Sequence, residues 1–400
     1  MLIIDINHGA LDLAVEYEKS GKNPVIWDIY GKLERDEKFK ECNKNILSKF
    51  KIISKKEMPD FSNYTEVIAP VHCPIDVEFK TFHDAVSEII SKKYPGVIEK
   101  MITVTGVKGK TTTTELLKHI LSEEYTVYCH NSNDGSITPI TVLNILNNLS
   151  DERKLQIYDF FIFEISLGIV SSKYSILTNI LENYKIARGM RSASIKIDSL
   201  KNSKIAIIND DVINIFDVNH KNLKVVKNAN IISKYPLKFN YLKNDFEFNE
   251  SILGSHFIEN SIFAIELCSN FLSFEKIKNS LKKFKIENRM NVEKKEEYTI
   301  VKNINPGLDL KAIDYAISDF LSLFENGMVI VGGDFGCTCE EINIEKLAEL
   351  INQYLKKGVK ITIAGDVGIY LKKYVNLEMV DIKNYEFKDN TLVVYRSKLC

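Results

Sequence analysis

The sequence predicts an α/β protein of three domains: a Rossmann-like N-terminal domain at 1–96, a central parallel-sheet P-loop domain at 97–286, and a C-terminal Rossmann-like α/β domain at 287–400. Three observations predict it. The chain opens as strand, helix, strand; a strand at Met101 to Thr105 runs into a glycine and lysine loop and then a helix; and strands alternate with helices again after Thr299. At 400 residues the chain is also too long for one ordinary domain of roughly 100–200 residues.

In the first domain, Leu2 to Ile6 reads as a short buried strand, His8-Gly9 as a turn, and 10–20 as an amphipathic helix with Leu11, Leu13, Ala14 and Tyr17 near one face. Val25 to Tyr30 is the next strand and Val67 to Val71 a later one, ending at His72-Cys73-Pro74. Ligands of such sheets sit beyond the carboxyl ends of the strands, which here carry His8, Gly9, Asp28, Tyr30, His72 and Cys73. The pattern breaks at Tyr94-Pro95-Gly96, a candidate boundary.

In the second domain, Met101 to Thr105 leads into Gly106-Val107-Lys108-Gly109-Lys110-Thr111-Thr112, and a helix continues through 115–123. Glycines let successive N–H groups turn toward a phosphate, and the helix start adds a positive dipole. Lys110 can reach the terminal phosphates, and Thr111 offers a hydroxyl to Mg²⁺. The strict P-loop pattern has Gly where this chain has Val104. Tyr158 to Phe163 is a nearly unbroken apolar run, as a central parallel strand covered on both faces requires, and Glu164 follows it. A carboxylate there is placed to hold Mg²⁺ over the loop, so the domain reads as an ATPase domain using ATP and Mg²⁺. Ile176 to Ile180 and Ile205 to Ile208 are further strands, the apolar spacing from Ile258 to Phe284 is helical, and 286–291 reads as a link. In the last domain, strands at 299–301, 328–331, 361–364 and 392–394 alternate with helices such as 344–356.

Composition narrows the function classes. Basic and acidic side chains number 53 and 54, so there is no overall positive field to gather nucleic acid or an anionic membrane. No run of about 18 apolar residues occurs, and the seven cysteines lack disulfide or zinc spacing, which predicts a soluble, unexported, cytoplasmic protein. Cys337-Thr338-Cys339 is a lone C-x-C and not a zinc site. His8, His72 and Cys73 also suit nickel, iron or zinc by ligand type.

The order of these pieces resembles the Mur ligase superfamily, which forms amide bonds with ATP. Its threonine and glycine loop looks like Thr105 to Thr112, including the missing first glycine at Val104. Its metal-binding Glu matches Glu164, its T-N strand end matches Thr178-Asn179, and its lysine, carbamylated in several members, falls at Lys196. Its G-x-H-N-x-x-N matches Gly254, His256 and Asn260 with Phe257 departing; its G-R-M-E looks like Arg289-Met290, and its H-N-P like Asn305-Pro306. The usual Asp-His pair after Thr178-Asn179 is replaced by Asn183-Tyr184, and the Asp and His before N-P fall at Val301 and Ile304, so a histidine ligand for a second metal has no counterpart.

The resemblance implies catalytic roles for Lys110, Glu164 and Lys196, nucleotide contacts from Thr105 to Thr112 with Asn260 and Arg289, and Mg²⁺ on Thr111 and Glu164. The chain opening, Ala69 to Pro74, Thr178 to Ser194 and Val331 to Glu341 are similar to an archaeal Mur-like branch found in methanogens. That likeness implies a nickel tetrapyrrole substrate, with His8, Asp28, His72 and Cys73 as substrate residues and neither nucleic acid nor membrane as partner. It further implies a propionate activated as an acyl phosphate and joined to a ring carbon, with ADP and phosphate released. Such a carbon must lose a proton, for which His8, His72 and His83 are equal candidates. An amide ligase adding an amino acid and an ATP-gated nickel or tetrapyrrole chaperone are the competing readings.

Overall fold

A computed structural model describes every residue except 181–182, 337–340 and 398–400. The chain forms two compact units, 1–227 and 228–400. The expected boundary at 96 falls between the two sheets of the first unit, and that at 286 falls inside the second unit.

The first sheet is parallel, in the order β3-β2-β1-β4-β5, with β1 Leu2–Ile4, β2 Val25–Trp27, β3 Lys51–Ile53, β4 Val67–Ala69 and β5 Lys80–Thr81. Two strands end earlier than expected for identifiable reasons. Strand β2 stops at Trp27 because the Asp28 carboxylate accepts the N–H groups of Lys32 (2.9 Å) and Leu33 (2.8 Å), turning the chain into a short helix. Strand β4 stops at Ala69 because Pro70 follows, and proline has no N–H for the ladder.

The second sheet has the order β13-β12-β9-β6-β8-β7, with β6 Met101–Thr105, β7 Val127–His130, β8 Phe160–Glu164, β9 Ser172–Leu177, β12 Ser203–Asn209 and β13 Leu223–Val226. All its pairings are parallel. Every residue of β6 and of β8 is buried, as the apolar run from Phe160 predicts. The small hairpin of β10 (Lys185–Ile186) and β11 (Arg191–Ser192) lies outside both sheets. One apolar cluster joins the two sheets, running from Ile3, Ile6 and Leu11 through Phe82 and Val86 to Ile140, Leu143, Phe161 and Phe163.

In the second unit, β14 Asn230–Lys234, β15 Leu237–Tyr241 and β16 Asn244–Glu247 form an antiparallel meander that the sequence did not predict. Its turn, Leu242-Lys243, has positive φ at both positions (50° and 60°), the backbone of a two-residue hairpin loop. That conformation ordinarily selects Asn or Gly, so the usual turn signal is missing. The helical stretch after Ile258 is two helices, His256–Cys268 and Phe274–Leu281, the second capped by Ser273 accepting from the Lys276 N–H. The expected link at 286–291 instead enters β17 Arg289–Lys294, antiparallel to β18 Thr299–Ile304. The last sheet continues through β22 Thr391–Arg396, β19 Met328–Gly333, β20 Lys360–Ala364 and β21 Met379–Val380, all parallel.

Cys337, Thr338 and Cys339 lie outside the described residues. Among the described residues, no helix is long and apolar enough to cross a membrane. Phe161 is fully buried between the Tyr128 and Tyr158 rings. Phe161→Ala is expected to destabilise the 1–227 unit by about 3–5 kcal/mol, read as a lower urea midpoint by tryptophan fluorescence at Trp27.

Candidate active site

At the carboxyl end of β6 the chain turns through Gly106 (φ 143°) and Gly109 (φ 85°) into the helix Lys110–Leu121. These angles suit glycine, and Gly106 has a second reason: a Cβ there would fall on the Thr178 hydroxyl. The loop is tied to the end of the neighbouring strand β9. The Thr178 hydroxyl donates to the Lys108 carbonyl at 2.6 Å and Asn179 Nδ2 to the same oxygen at 3.1 Å. In return the Lys108 N–H donates to Asn179 Oδ1 at 3.0 Å and the Val107 N–H to the Asn179 carbonyl at 3.0 Å. Val107 and Lys108, expected to give amides to a phosphate, therefore spend them on fastening the loop. First-turn N–H groups have no partner within a helix, so the Gly109 turn and the start of the helix Lys110–Leu121 are where this loop could offer amides to a phosphate.

Glu164 is buried at the end of β8, paired in register with Val104. Its Oε2 accepts the Thr111 hydroxyl at 2.8 Å and the Ser132 N–H at 3.1 Å, while Lys110 Nζ lies 3.9 Å from Oε1. Lys110 also donates to the Val107 carbonyl at 3.3 Å, folding back over the loop. The Ser132 hydroxyl is 2.9 Å from Thr111 Oγ1. A carboxylate and two hydroxyls converging beside a lysine make a hard-oxygen donor set that fits Mg²⁺. Sequence reasoning missed Ser132, which sits in a loop with no motif of its own.

Thr105 and Thr112 are buried at the two ends of the loop. Lys196, on the short helix Ile195–Asp198, is 1% exposed, whereas an ordinary helical lysine is solvated. Its amine lies 3.2 Å from the Tyr184 hydroxyl and 5.0 Å from the ring centroid. Val107, Tyr184 and Ile197 border one apolar cluster, so the Lys196 helix packs close to the phosphate loop.

At the first sheet, Asp5, His8 and His72 come together. Asp5 Oδ2 is 2.6 Å from His8 Nδ1 and 3.4 Å from His72 Nε2, and those two ring nitrogens are 3.2 Å apart. The three could hold a cation by ligand type. The other proposed substrate residues are placed differently. Asp28 has both carboxylate oxygens on backbone N–H groups and serves the turn after β2. The Cys73 side chain is buried in an apolar cluster with Leu2, Ile4 and Trp27. Burial, and then the Asp5 carboxylate, push its thiol up to about 12.

His83 is sealed inside, with Nε2 2.9 Å from the Ser166 carbonyl oxygen. A carbonyl only accepts, so Nε2 carries the proton. Burial, offset in part by that bond, holds its pKa down at about 4. Arg191 donates to the Val71 (3.4 Å), Cys73 (2.8 Å) and Ile75 (3.0 Å) carbonyls, fixing the loop that carries His72.

In the second unit, Asn260 is buried on the helix His256–Cys268. Gly254 (φ 114°) packs against the His256 ring, and burial and then the Arg289 charge hold that imidazole down at about 4. Arg289 opens β17, half-buried at a register shift and flanked by Asn288 and Met290 with positive φ.

The Mur ligase middle domain family matches residues 104–268, and the C-terminal domain family of coenzyme F430 synthetase CfbE matches residues 292–398. Among solved structures, MurF from Acinetobacter baumannii superposes with a TM-score of 0.59 at 16% identity, covering 88% of this chain and 84% of that one. Folylpolyglutamate synthase from Thermotoga maritima gives 0.53 at 18% identity, over 78% of this chain and 90% of that one. At such identities these neighbours speak for the fold alone.

Three α/β sheets, a glycine and lysine loop beside a buried glutamate, the Mur ligase middle domain match and a full-length curated relative together make this an ATP-dependent ligase of the Mur type. The coenzyme F(430) synthetase of Methanocaldococcus jannaschii is 48% identical, covering 100% of this chain and 99% of that protein. That of Methanosarcina acetivorans is 28% identical over 48% of this chain and 45% of its own length. The chain belongs to the coenzyme F(430) synthetase family.

Two measurements check the geometry. Gly106→Ala is expected to weaken Mg-ATP binding by about 10- to 100-fold, since the strained φ and the overlap with Thr178 cost ~1–3 kcal/mol; titration calorimetry reads it. His83 ties stability to pH. Its folded pKa lies below its ordinary value of 6.5, so as pH falls from 6.5 toward 4 the unfolded chain takes a proton that the folded one refuses. Stability should fall over that window by on the order of 3 kcal/mol from this group. In His83→Gln the urea midpoint should depend less on pH there.

Proposed function

We propose that this ligase closes the last carbocyclic ring of a nickel tetrapyrrole, acting on the nickel seco-F(430) acid precursor. A propionate carboxylate of the substrate attacks the γ-phosphorus of ATP; the bond from γ-phosphorus to the bridging oxygen breaks, and ADP leaves with an acyl phosphate formed. A ring carbon then attacks the acyl carbonyl carbon, a C–C bond forms, and phosphate departs as that carbon gives up its proton.

The observation that carries this reading is the convergence of Lys110, Thr111 and Glu164 at a loop tied down by Thr178 and Asn179. Lys110 and the amides of the first helical turn stabilise the charge that spreads over the phosphoryl oxygens. Mg²⁺ held by Thr111 and Glu164 would supply further neutralisation of the β- and γ-phosphates. Lys196, buried against Tyr184, belongs to the same proposed set; as a carbamate it would offer a carboxylate in place of a buried ammonium. Asn260 and Arg289 are further proposed nucleotide-binding residues. The relatives' name supplies the substrate class, and the cytoplasm of a methanogen is the compartment this reading implies.

The test is to incubate the protein with Mg-ATP and the nickel seco acid, following ADP and product mass. The expected result is loss of one water from the precursor, equimolar with ADP. ADP formed only with added amino acids, or slow ATP turnover indifferent to any carboxylate, would overturn ring closure. Lys110→Ala should lower the rate by at least about 100- to 1,000-fold, as loss of one charge-stabilising donor does elsewhere; full activity would remove Lys110 from its role.

A further inference from the structure

In the sheet order β3-β2-β1-β4-β5 the chain winds from β1 to β2 on one side and returns to place β4 on the other. The point of reversal lies between β1 and β4, and the crevice beyond their carboxyl ends is where such sheets hold ligands. Asp5 directly follows β1, and His72 lies just beyond β4.

Asp5 is fully buried with a left-handed backbone (φ 86°, ψ 88°), so its side chain is held inward by the fold. Its Oδ1 accepts the Asn7 N–H at 3.0 Å, leaving Oδ2 for the two imidazoles. Two imidazole nitrogens converge on that one oxygen, the placement of a carboxylate that accepts from its neighbours. An ionised carboxylate only accepts. With His8 Nδ1 donating across the 2.6 Å contact, the neutral form of the imidazole carries its lone pair on Nε2. The His8 side chain is 37% exposed, open enough to meet a substrate.

This pair lies near the phosphate loop. The segment after β7 bonds to Glu164 through the Ser132 N–H, and four residues later Ser136, with Thr138, lines a cleft of about 210 Å³ together with Asn7, His8 and Gly9. Four residues span at most ~14 Å, comparable with the width of one macrocycle. Gly9 presses on Ile140, where an added Cβ would come within 2.8 Å, so the His8 turn is seated directly on the central domain. A roomier cavity, about 1040 Å³, lies elsewhere: Glu66, Val67 and Ser171 line it at the amino ends of β4 and β9, away from the phosphate loop.

We propose that His8 is the general base of ring closure, with Asp5 and His72 as its positioning residues; this rests on the ring-closing reading above. As the ring carbon bonds to the acyl carbon, the C–O bond to phosphate breaks and phosphate leaves with the electron pair. The C–H pair returns to the macrocycle, and the proton passes to His8 Nε2. Asp5 stabilises the imidazolium, and no oxidant or reductant is required. His83 is unsuited, since its Nε2 is committed to Ser166 and its ring is sealed from solvent. His72 contacts Asp5 at the longer distance of 3.4 Å and is held through its loop by Arg191.

The experiment separates the two half-reactions in the full chain, using the nickel seco acid, Mg-ATP and hydroxylamine to trap acyl phosphate as a hydroxamate. His8→Gln is expected to form ADP and hydroxamate at the wild-type rate while ring closure falls by about 100-fold or more. Asp5→Asn should show the same split, and His72→Gln a weaker one. Unchanged Mg-ATP affinity in His8→Gln certifies its fold, and His8→Asn serves if that variant fails the check. Ring closure at the wild-type rate in His8→Gln overturns the assignment. So does a wild-type enzyme whose ring closure alone is lost on chelation, with Mg²⁺ in excess, and restored by Zn²⁺ or Ni²⁺, because the cluster would then be a metal site. Wild-type protein that yields neither ADP nor hydroxamate from the precursor instead refutes the ring-closing reading itself.

Discussion

The tie between the phosphate loop and the strand beside it is the constraint on which the rest of the candidate site depends. A glycine loop alone is pliable, and its amides would have to be ordered each time a phosphate arrived. Here the Lys108 carbonyl is held by both Thr178 and Asn179, and the Val107 and Lys108 amides are held in return. The loop is thus held in shape by its own bonds, the arrangement that the proposed stabilisation of developing charge by fixed donors requires. The tie also explains why Gly106 has no room for a side chain.

From that fixed loop the remaining geometry follows. The register that pairs Val104 with Glu164 sets the carboxylate beside the helix start, and the Thr111 hydroxyl closes the gap at 2.8 Å. The loop after β7 then meets Glu164 through Ser132 and reaches the His8 cleft four residues on. The Gly106 to Thr112 loop and the Asp5–His8–His72 cluster therefore belong to one compact unit, with a shared apolar core from Ile3 to Phe163.

Several structural departures from expectation have one cause: side chains near strand ends leave the ladder to bond to backbone. Asp28 caps the turn after β2 and Thr178-Asn179 fasten the loop after β9, so both strands end before their apolar runs do. The β14 to β16 meander escaped notice for a different reason. Its tight turn is built from Leu242-Lys243, residues that pattern reading does not associate with positive φ, and the surrounding fold holds them there.

What the sequence determined by itself was whatever is local: the strand, glycine loop and helix from Met101 to Leu121, the buried strand ending in Glu164, and the alternation of strand and helix that makes the first two sheets parallel. Hydrophobic period and glycine placement are properties of neighbouring residues, so they can be read along the chain. Tertiary structure alone decided which distant groups meet. Asp5 and His72 are brought together because β1 and β4 are neighbours, Ser132 reaches Glu164 because β7 lies beside β8, and Lys196 loses its water because its helix packs on the same cluster as Val107. It also separated three histidines of equal standing in the sequence, burying His83 on a carbonyl while leaving His8 partly open beside a buried carboxylate. Burial and hydrogen-bond partners depend on strand order and side-chain packing, and neither is written in the spacing of residues along the chain.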